Sequence, residues 1–383
     1  MSDNYFDNSA TTKIDETVFA TMLPYLKENY GNPSSIYKIG RENKKAIEES
    51  REKVAKALNC NPQEIYFTSC GSESDNTALK GIAKSYKSKG NHIITSKIEH
   101  PAILETCRQL EHEGFEVSYI NVDKNGVINL QELEAKIRPT TTLISIMSAN
   151  NEIGTIEPIA KIGEIAKKNN IIFHTDSVQA IGSLNIDVQK MNIDSLSLSA
   201  HKFYGPKGIG ALYVRKGINF TKFMNGGHQE NNKRAGTENV AGIVGLGKAI
   251  ELAYKSIIEH TSKIKALRDY YEDQIIKKIP NIKINGNIEN RLPGNSNISF
   301  EGVSGESLLL NLDLKGIYAS MGSACSSGAI QSSHVLSAIG LPEKLAKSSL
   351  RISIGKYNTK EEVDFLVQNL VEIVTRLRNL SSN

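Results

Sequence analysis

Between residues 15 and 255, short apolar runs rich in β-branched residues alternate with longer stretches whose apolar positions recur every three or four residues. The short runs predict strands at Glu64–Thr68, His92–Thr95, Val117–Ile120, Leu143–Met147, Ile171–Thr175 and Ser195–Ser199. The periodic stretches predict helices at Glu42–Leu58, Pro101–His112, Asn129–Ile137 and Pro158–Asn169. This alternation predicts an α/β fold, a mostly parallel sheet with helices on both faces. Ligands of such sheets bind beyond the carboxyl ends of the strands. After a lysine-rich helical stretch from Ala249 to Lys278 the pattern changes. Strands are expected at Ile282–Ile284, Ser296–Phe300 and Ile317–Ser320, with helices at Gly305–Leu310, Ser333–Ile339 and Lys360–Leu380. We therefore expect a large α/β domain over 15–255. A smaller α+β domain over 256–383 takes in residues 1–14, which have no helical period.

Composition narrows the function. The 383 residues exceed what one hydrophobic core usually serves, in keeping with two domains. A net charge of +4 makes no case for nucleic acid or a membrane surface. No apolar run is long enough to span a bilayer. The first residues, MSDNYFDNSATTKI, lack a basic region followed by an apolar core, so a secretory signal is not expected and a cytoplasmic location is. The cysteines Cys60, Cys70, Cys107 and Cys325 form no CxxC pair, which argues against a disulfide framework and a metal site.

Three predicted strand ends carry candidate chemistry. Asp176 follows an apolar strand, and Lys202 follows Ser195–Ser199. The strand at Glu64–Thr68 runs into Ser69-Cys70-Gly71-Ser72 and then a helical segment, a plausible phosphate cradle because a helix N-terminus offers free N–H groups. A lysine, an acid and a phosphate loop at neighbouring strand ends are what a pyridoxal 5'-phosphate (PLP) site requires. The lysine forms a Schiff base with the aldehyde, and the acid keeps the pyridine nitrogen protonated. Each element also has a plainer reading, as a turn acid, a solvated lysine or a helix cap, and the residue pattern leaves both open. Cys325 sits in Ser320-Met321-Gly322-Ser323-Ala324-Cys325-Ser326-Ser327-Gly328, small and polar enough to predict an exposed mobile loop. Free cysteines are usually buried, so Cys325 is the nucleophile candidate. The other three read as spectators.

These segments together resemble the NifS/IscS-type cysteine desulfurases, which are fold-type I (aspartate-aminotransferase-like) PLP enzymes. The likeness covers almost the whole chain. It runs through Phe6–Thr12, Tyr30–Ser35, Glu99-His100-Pro101, Ala149–Gly154, His174–Gln179, Ser199-Ala200-His201-Lys202, Arg234–Asn239, Gly322-Ser323-Ala324-Cys325 and Leu350-Arg351-Ile352-Ser353. The resemblance implies a role for each matching residue. Lys202 would hold the cofactor and then act as base and acid at the substrate Cα. Asp176 would face the pyridine nitrogen, Gln179 the ring hydroxyl and His100 the ring face, with His100 also shuttling protons. Ser72, Ser199, His201 and the N–H groups around Gly71 would bind phosphate. Thr237 would reach the phosphate of a neighbouring subunit, implying a homodimer. Asn151 and Arg351 would hold the substrate carboxylate, a task that suits the planar guanidinium fork. Cys325 would take sulfur from L-cysteine as a persulfide, leaving L-alanine, for delivery to an acceptor such as an iron–sulfur scaffold. The segment after Cys325 resembles the longer-loop class.

The chain departs from many members at three places. Ser72 stands for a threonine, Asn231-Asn232 for an Arg-Gly pair, and Met321 for a small polar residue. Selenocysteine lyase activity on the same scaffold is the nearest alternative. A non-catalytic sulfur or cluster scaffold is disfavoured by the cysteine spacing.

Overall fold

The structure, a computed structural model, describes residues 4–321 and 333–381. Cys325 and its Gly-Ser-Ala-Cys run lie outside the described residues. The strands, in chain order, are β1 (Asn4–Tyr5), β2 (Ile65–Thr68), β3 (His92–Ser96), β4 (Glu116–Ile120), β5 (Thr141–Ser145), β6 (Ile172–Asp176), β7 (Ser195–Ser199) and β8 (Gly210–Val214). They continue with β9 (Ile282–Asn285), β10 (Asn295–Phe300), β11 (Ile317–Tyr318) and β12 (Ser349–Ser353).

Seven of these form the central sheet, in the order β2-β8-β7-β6-β5-β3-β4. β8 runs antiparallel to both neighbours, and the remaining pairs are parallel. Every residue of β3, β5, β6, β7 and β8 is buried, because helices cover both faces of the sheet. The α/β expectation holds.

The alternation within β6 and β7 sets up the site. Phe173, Leu196 and Leu198 face one way, into the core that the helix Lys38–Leu58 helps to close. His174 and Ser197 face the other way and meet at 3.1 Å, beneath the helix Gly71–Tyr86. A strand with period 2 can therefore be fully buried and still present one polar face.

A second core gathers Tyr271, Ile298, Phe300, Leu308, Leu350, Ile352, Leu366 and Leu370. It lies on a three-stranded antiparallel sheet of order β12-β10-β9. Phe6 belongs to this core, and β1 pairs in parallel with β11.

The structure adds β1, β8 and β12, which the pattern did not single out as strands. It also divides the lysine-rich helical region into Val240–Lys255 and Ile257–Lys278, broken at Ser256. The strand expected at Leu143–Met147 is Thr141–Ser145.

Candidate active site

The loop after β2 is closed by the helix it enters. The Ser69 backbone N–H and hydroxyl both donate to Glu73 Oε2, at 2.7 and 2.5 Å. Thr68 Oγ1 and Ser74 Oγ are 2.8 Å apart. At Gly71 a Cβ would lie 2.6 Å from Val178 Cγ2, so a larger residue here would press on the side chain that follows the end of β6. The first helical N–H groups and the exposed Ser72 thus face the strand ends, where an anion would be held. Arg234 donates to Glu73 from Nε at 2.9 Å, tying the segment before Thr237 to the same loop.

Asp176 ends β6, and Lys202 lies in a single 3-10 turn after β7. The Lys202 ammonium donates to the carbonyls of Ser9 and Ala10 at 2.5 and 2.8 Å, and Gln179 Nε2 donates to Ser9 at 3.0 Å. Asp176 Oδ1 accepts from the Val178 N–H at 2.9 Å. Burial pushes the Asp176 carboxyl up, against the pull of His100, that N–H and Lys202. His100 caps the helix Pro101–His112, its Nδ1 accepting the Ala102 N–H at 3.1 Å. In the neutral ring the proton therefore sits on Nε2. Burial holds His100 below the ordinary histidine range; Asp176 opposes this, and Lys202 and His334 add to it. His201 is lowered to about 4 by burial, assisted by Lys202 and Lys207, and its Nδ1 is 3.1 Å from Thr11 Oγ1.

Arg351 reaches the site from β12, only 2% exposed. It donates to the Asn151 carbonyl from Nη1 at 2.9 Å and to Asp7 Oδ1 from Nη2 at 2.7 Å. One cavity of about 300 Å³ is lined by Gly71, Ser72, His100, Asn151, Asp176, Gln179, Ser199, His201, Lys202 and Arg351. Ten of the twelve residues singled out in the sequence thus share a single cavity. Thr237 is exposed and outside its lining, and Cys325 is outside the described residues.

Residues 4–366 match the family described as Aminotransferase class-V. The chain is 56% identical over 377 residues to "Cysteine desulfurase IscS" of Methanosarcina thermophila, covering 98% of this chain and 93% of that one. A solved "NIFS-like protein" superposes with a TM-score of 0.93 at 40% identity, covering 98% of this chain and all of its own. Another, "SspA in complex with cysteine", has a TM-score of 0.82 at 38% identity, over 93% of this chain and 100% of that one. This chain belongs to the class-V aminotransferase family, among its cysteine desulfurases.

The donor set of this desulfurase chain fits PLP. The Ser199 hydroxyl is buried with no hydrogen-bond partner among the described residues, beside the cradle that a Cβ at Gly71 would fill. A lysine amine, a buried carboxylate and a glutamine amide complete what an aldehyde, a pyridine nitrogen and a ring hydroxyl need. Lys202 would hold the aldehyde carbon, Asp176 the ring nitrogen, and Ser72, Ser199 and His201 the phosphate.

The Asn231-Asn232 departure has a backbone reason. Glu230, Asn231 and Asn232 have φ of 47°, 54° and 63°, a left-handed run in which asparagine is among the most tolerant residues carrying a Cβ. The run turns Glu230 inward, where it accepts from both Arg51 terminal nitrogens at 2.8 Å and from the Phe67 N–H at 2.8 Å. Two further acids were not given roles from the sequence. Asp7 lay inside a matched motif, and its pairing with Arg351 bridges 344 residues of chain. Asp75 is the fifth residue of the helix Gly71–Tyr86, and nothing in the pattern marks it as a cavity residue.

Proposed function

We propose that this desulfurase holds PLP in the Lys202 cavity and passes the sulfur of L-cysteine to Cys325. The observation that carries this reading is the opening of Lys202, Asp176 and Arg351 onto one cavity. When bound, the cofactor supplies an electron-withdrawing ring that stabilises negative charge at the substrate Cα.

The chain's own residues do the rest. Arg351 and Asn151 orient the substrate carboxylate, so that the Cα proton faces the Lys202 amine. Lys202, once free of the aldehyde, takes that proton and later returns one. His100, neutral with its proton on Nε2, donates or accepts at the ring face. The Cys325 thiolate attacks the substrate sulfur; an S–S bond forms as the substrate C–S bond breaks, its electron pair going to carbon, which is then protonated. Cysteine and one thiol become alanine and one persulfide, with no outside oxidant or reductant.

The reading extends to the assembly. Residues 15–255 form the cofactor-binding domain, and 1–14 with 256–383 the smaller one. Thr237, exposed in a single chain, serves the phosphate site of a second copy in a homodimer. The persulfide passes to an acceptor protein such as an iron–sulfur scaffold, in the reducing cytoplasm. No described helix is long and apolar enough to cross a membrane. Adding PLP to cofactor-free protein tests the reading: the wild type develops a visible absorption band that borohydride fixes on Lys202, and Lys202→Ala does not. A band fixed on another lysine overturns the assignment.

A further inference from the structure

Asp75 lies on the helix Gly71–Tyr86 and is 1% exposed. Its Oδ1 has no hydrogen-bond partner among the described residues. Among the described residues the basic group within ion-pair distance of it is His174 Nε2, at 3.8 Å. His174 is already engaged with the hydroxyls of Ser145 at 2.9 Å and Ser197 at 3.1 Å. Asp75 nevertheless borders the cavity, where an Asp75 oxygen, an Asp176 oxygen and a His100 ring nitrogen lie within 4.8 Å of one another.

Two carboxyls this close and this dry do not both ionise readily. Burial raises Asp176 too, but the Val178 N–H and Lys202 favour its charged form, as His100 does whenever it is protonated. Asp75 has the opposite surroundings. Burial pushes its carboxyl well up, Asp176 pushes the same way, Glu99 and Cys70 add to it, and a hydrogen bond from Ser197 opposes. His174 is itself driven down to about 3 by burial, so it brings no positive charge to Asp75.

We propose that Asp75 is a positioning residue, a second carboxyl that keeps the proton of the pair so that Asp176 alone presents charge to the cofactor's ring nitrogen. This rests on the cofactor reading above and adds to it. The pair holds one proton and one negative charge beside the ring, and among the described residues no charged cation faces the uncharged member. Ionisation of Asp75 at alkaline pH places a second negative charge there, which Asp75→Asn, similar in shape and unable to ionise, does not allow.

The test is an infrared difference spectrum, wild type minus Asp75→Asn, on cofactor-loaded protein at neutral pH. A carboxylic-acid C=O band that shifts in D2O should be present in the wild type and lost in the variant, with the visible band retained in both. The ratio of variant to wild-type kcat/KM should also rise with pH, as wild-type Asp75 ionises. If Asp75→Asn does not fold, Asp75→Ala serves for the same subtraction. A coloured wild type with no acid band lost, or a pH-independent rate ratio, overturns the inference alone. A wild type that never takes up the cofactor overturns the cofactor reading and this inference with it.

Discussion

Arg351 Nη2 lies 2.7 Å from Asp7 Oδ1, while Nη1 of the same guanidinium donates to the Asn151 carbonyl at 2.9 Å. Both ends of the planar fork are therefore fixed before any substrate arrives, and the group is buried where competing water is scarce. A lysine has the charge but not the fork. Arg351→Lys should raise KM for L-cysteine by roughly 10- to 100-fold, the loss of about 1.5–3 kcal/mol expected for charge-assisted hydrogen bonds. Steady-state kinetics check this, and an unchanged KM would remove Arg351 from substrate binding.

The Gly71 position predicts a rescue. Gly71→Ala pushes a methyl to within 2.6 Å of Val178 Cγ2, the tip of a side chain and not backbone. The variant should fold but bind PLP at least about tenfold more weakly, the loss of one or two good phosphate hydrogen bonds. Gly71→Ala combined with Val178→Ala should recover most of the affinity. Fluorescence titration of the cofactor-free proteins measures both.

The pairing of Arg51 with Glu230 is buried on both sides, with 6% and 3% side-chain exposure. Glu230→Ala leaves a guanidinium buried without that partner and should destabilise the fold by about 3–5 kcal/mol. Asn231→Gly should be tolerated at φ 54°, and Asn231→Val should cost about 1–3 kcal/mol. Denaturant unfolding of the three variants distinguishes loss of the ion pair from backbone strain.

Glu99 supplies the pH test. It accepts from Ser96 Oγ at 2.6 Å and the Met147 N–H at 3.0 Å, and burial raises its carboxyl to about 8. A raised acid contributes its stability at low pH and loses it as pH climbs from the unfolded value towards the folded one. Between about pH 4.5 and 8 this group should therefore cost about 1.4 kcal/mol per pH unit. Glu99→Gln should flatten that slope, so that its melting temperature gains on the wild type as pH rises. A parallel pair of curves would contradict the assignment.

Much of this was legible in the chain, and the gaps have physical causes. Ser195–Ser199 and Pro101–His112 read cleanly because a period of 2 or 3.6 was bounded by clear turn and cap residues. β8 was hidden behind Gly205-Pro206-Lys207-Gly208, which reads as loop, although Gly210–Val214 is buried at every position. Leu143–Met147 marked buried chain, whereas the hydrogen-bonded strand starts two residues earlier; apolar sequence reports burial and not pairing. The break at Ser256 lies between two lysine-rich helices with no glycine or proline to mark it. The cavity residues stood out because a family pattern names them. Asp7 and Asp75 act through partners far away in sequence, Arg351 and Asp176, and no local spacing encodes such pairs.

The central claim is that sulfur leaves L-cysteine for Cys325. Intact-mass spectrometry of cofactor-loaded protein, incubated with L-cysteine without reductant, tests it most directly when alanine is counted in parallel. The account predicts a gain of one sulfur mapped to Cys325, matched by one alanine per persulfide in the first turnover, with Cys325→Ala keeping its colour and gaining no sulfur. Alanine formed at the wild-type rate by Cys325→Ala, or sulfur mapped to another cysteine, would contradict it.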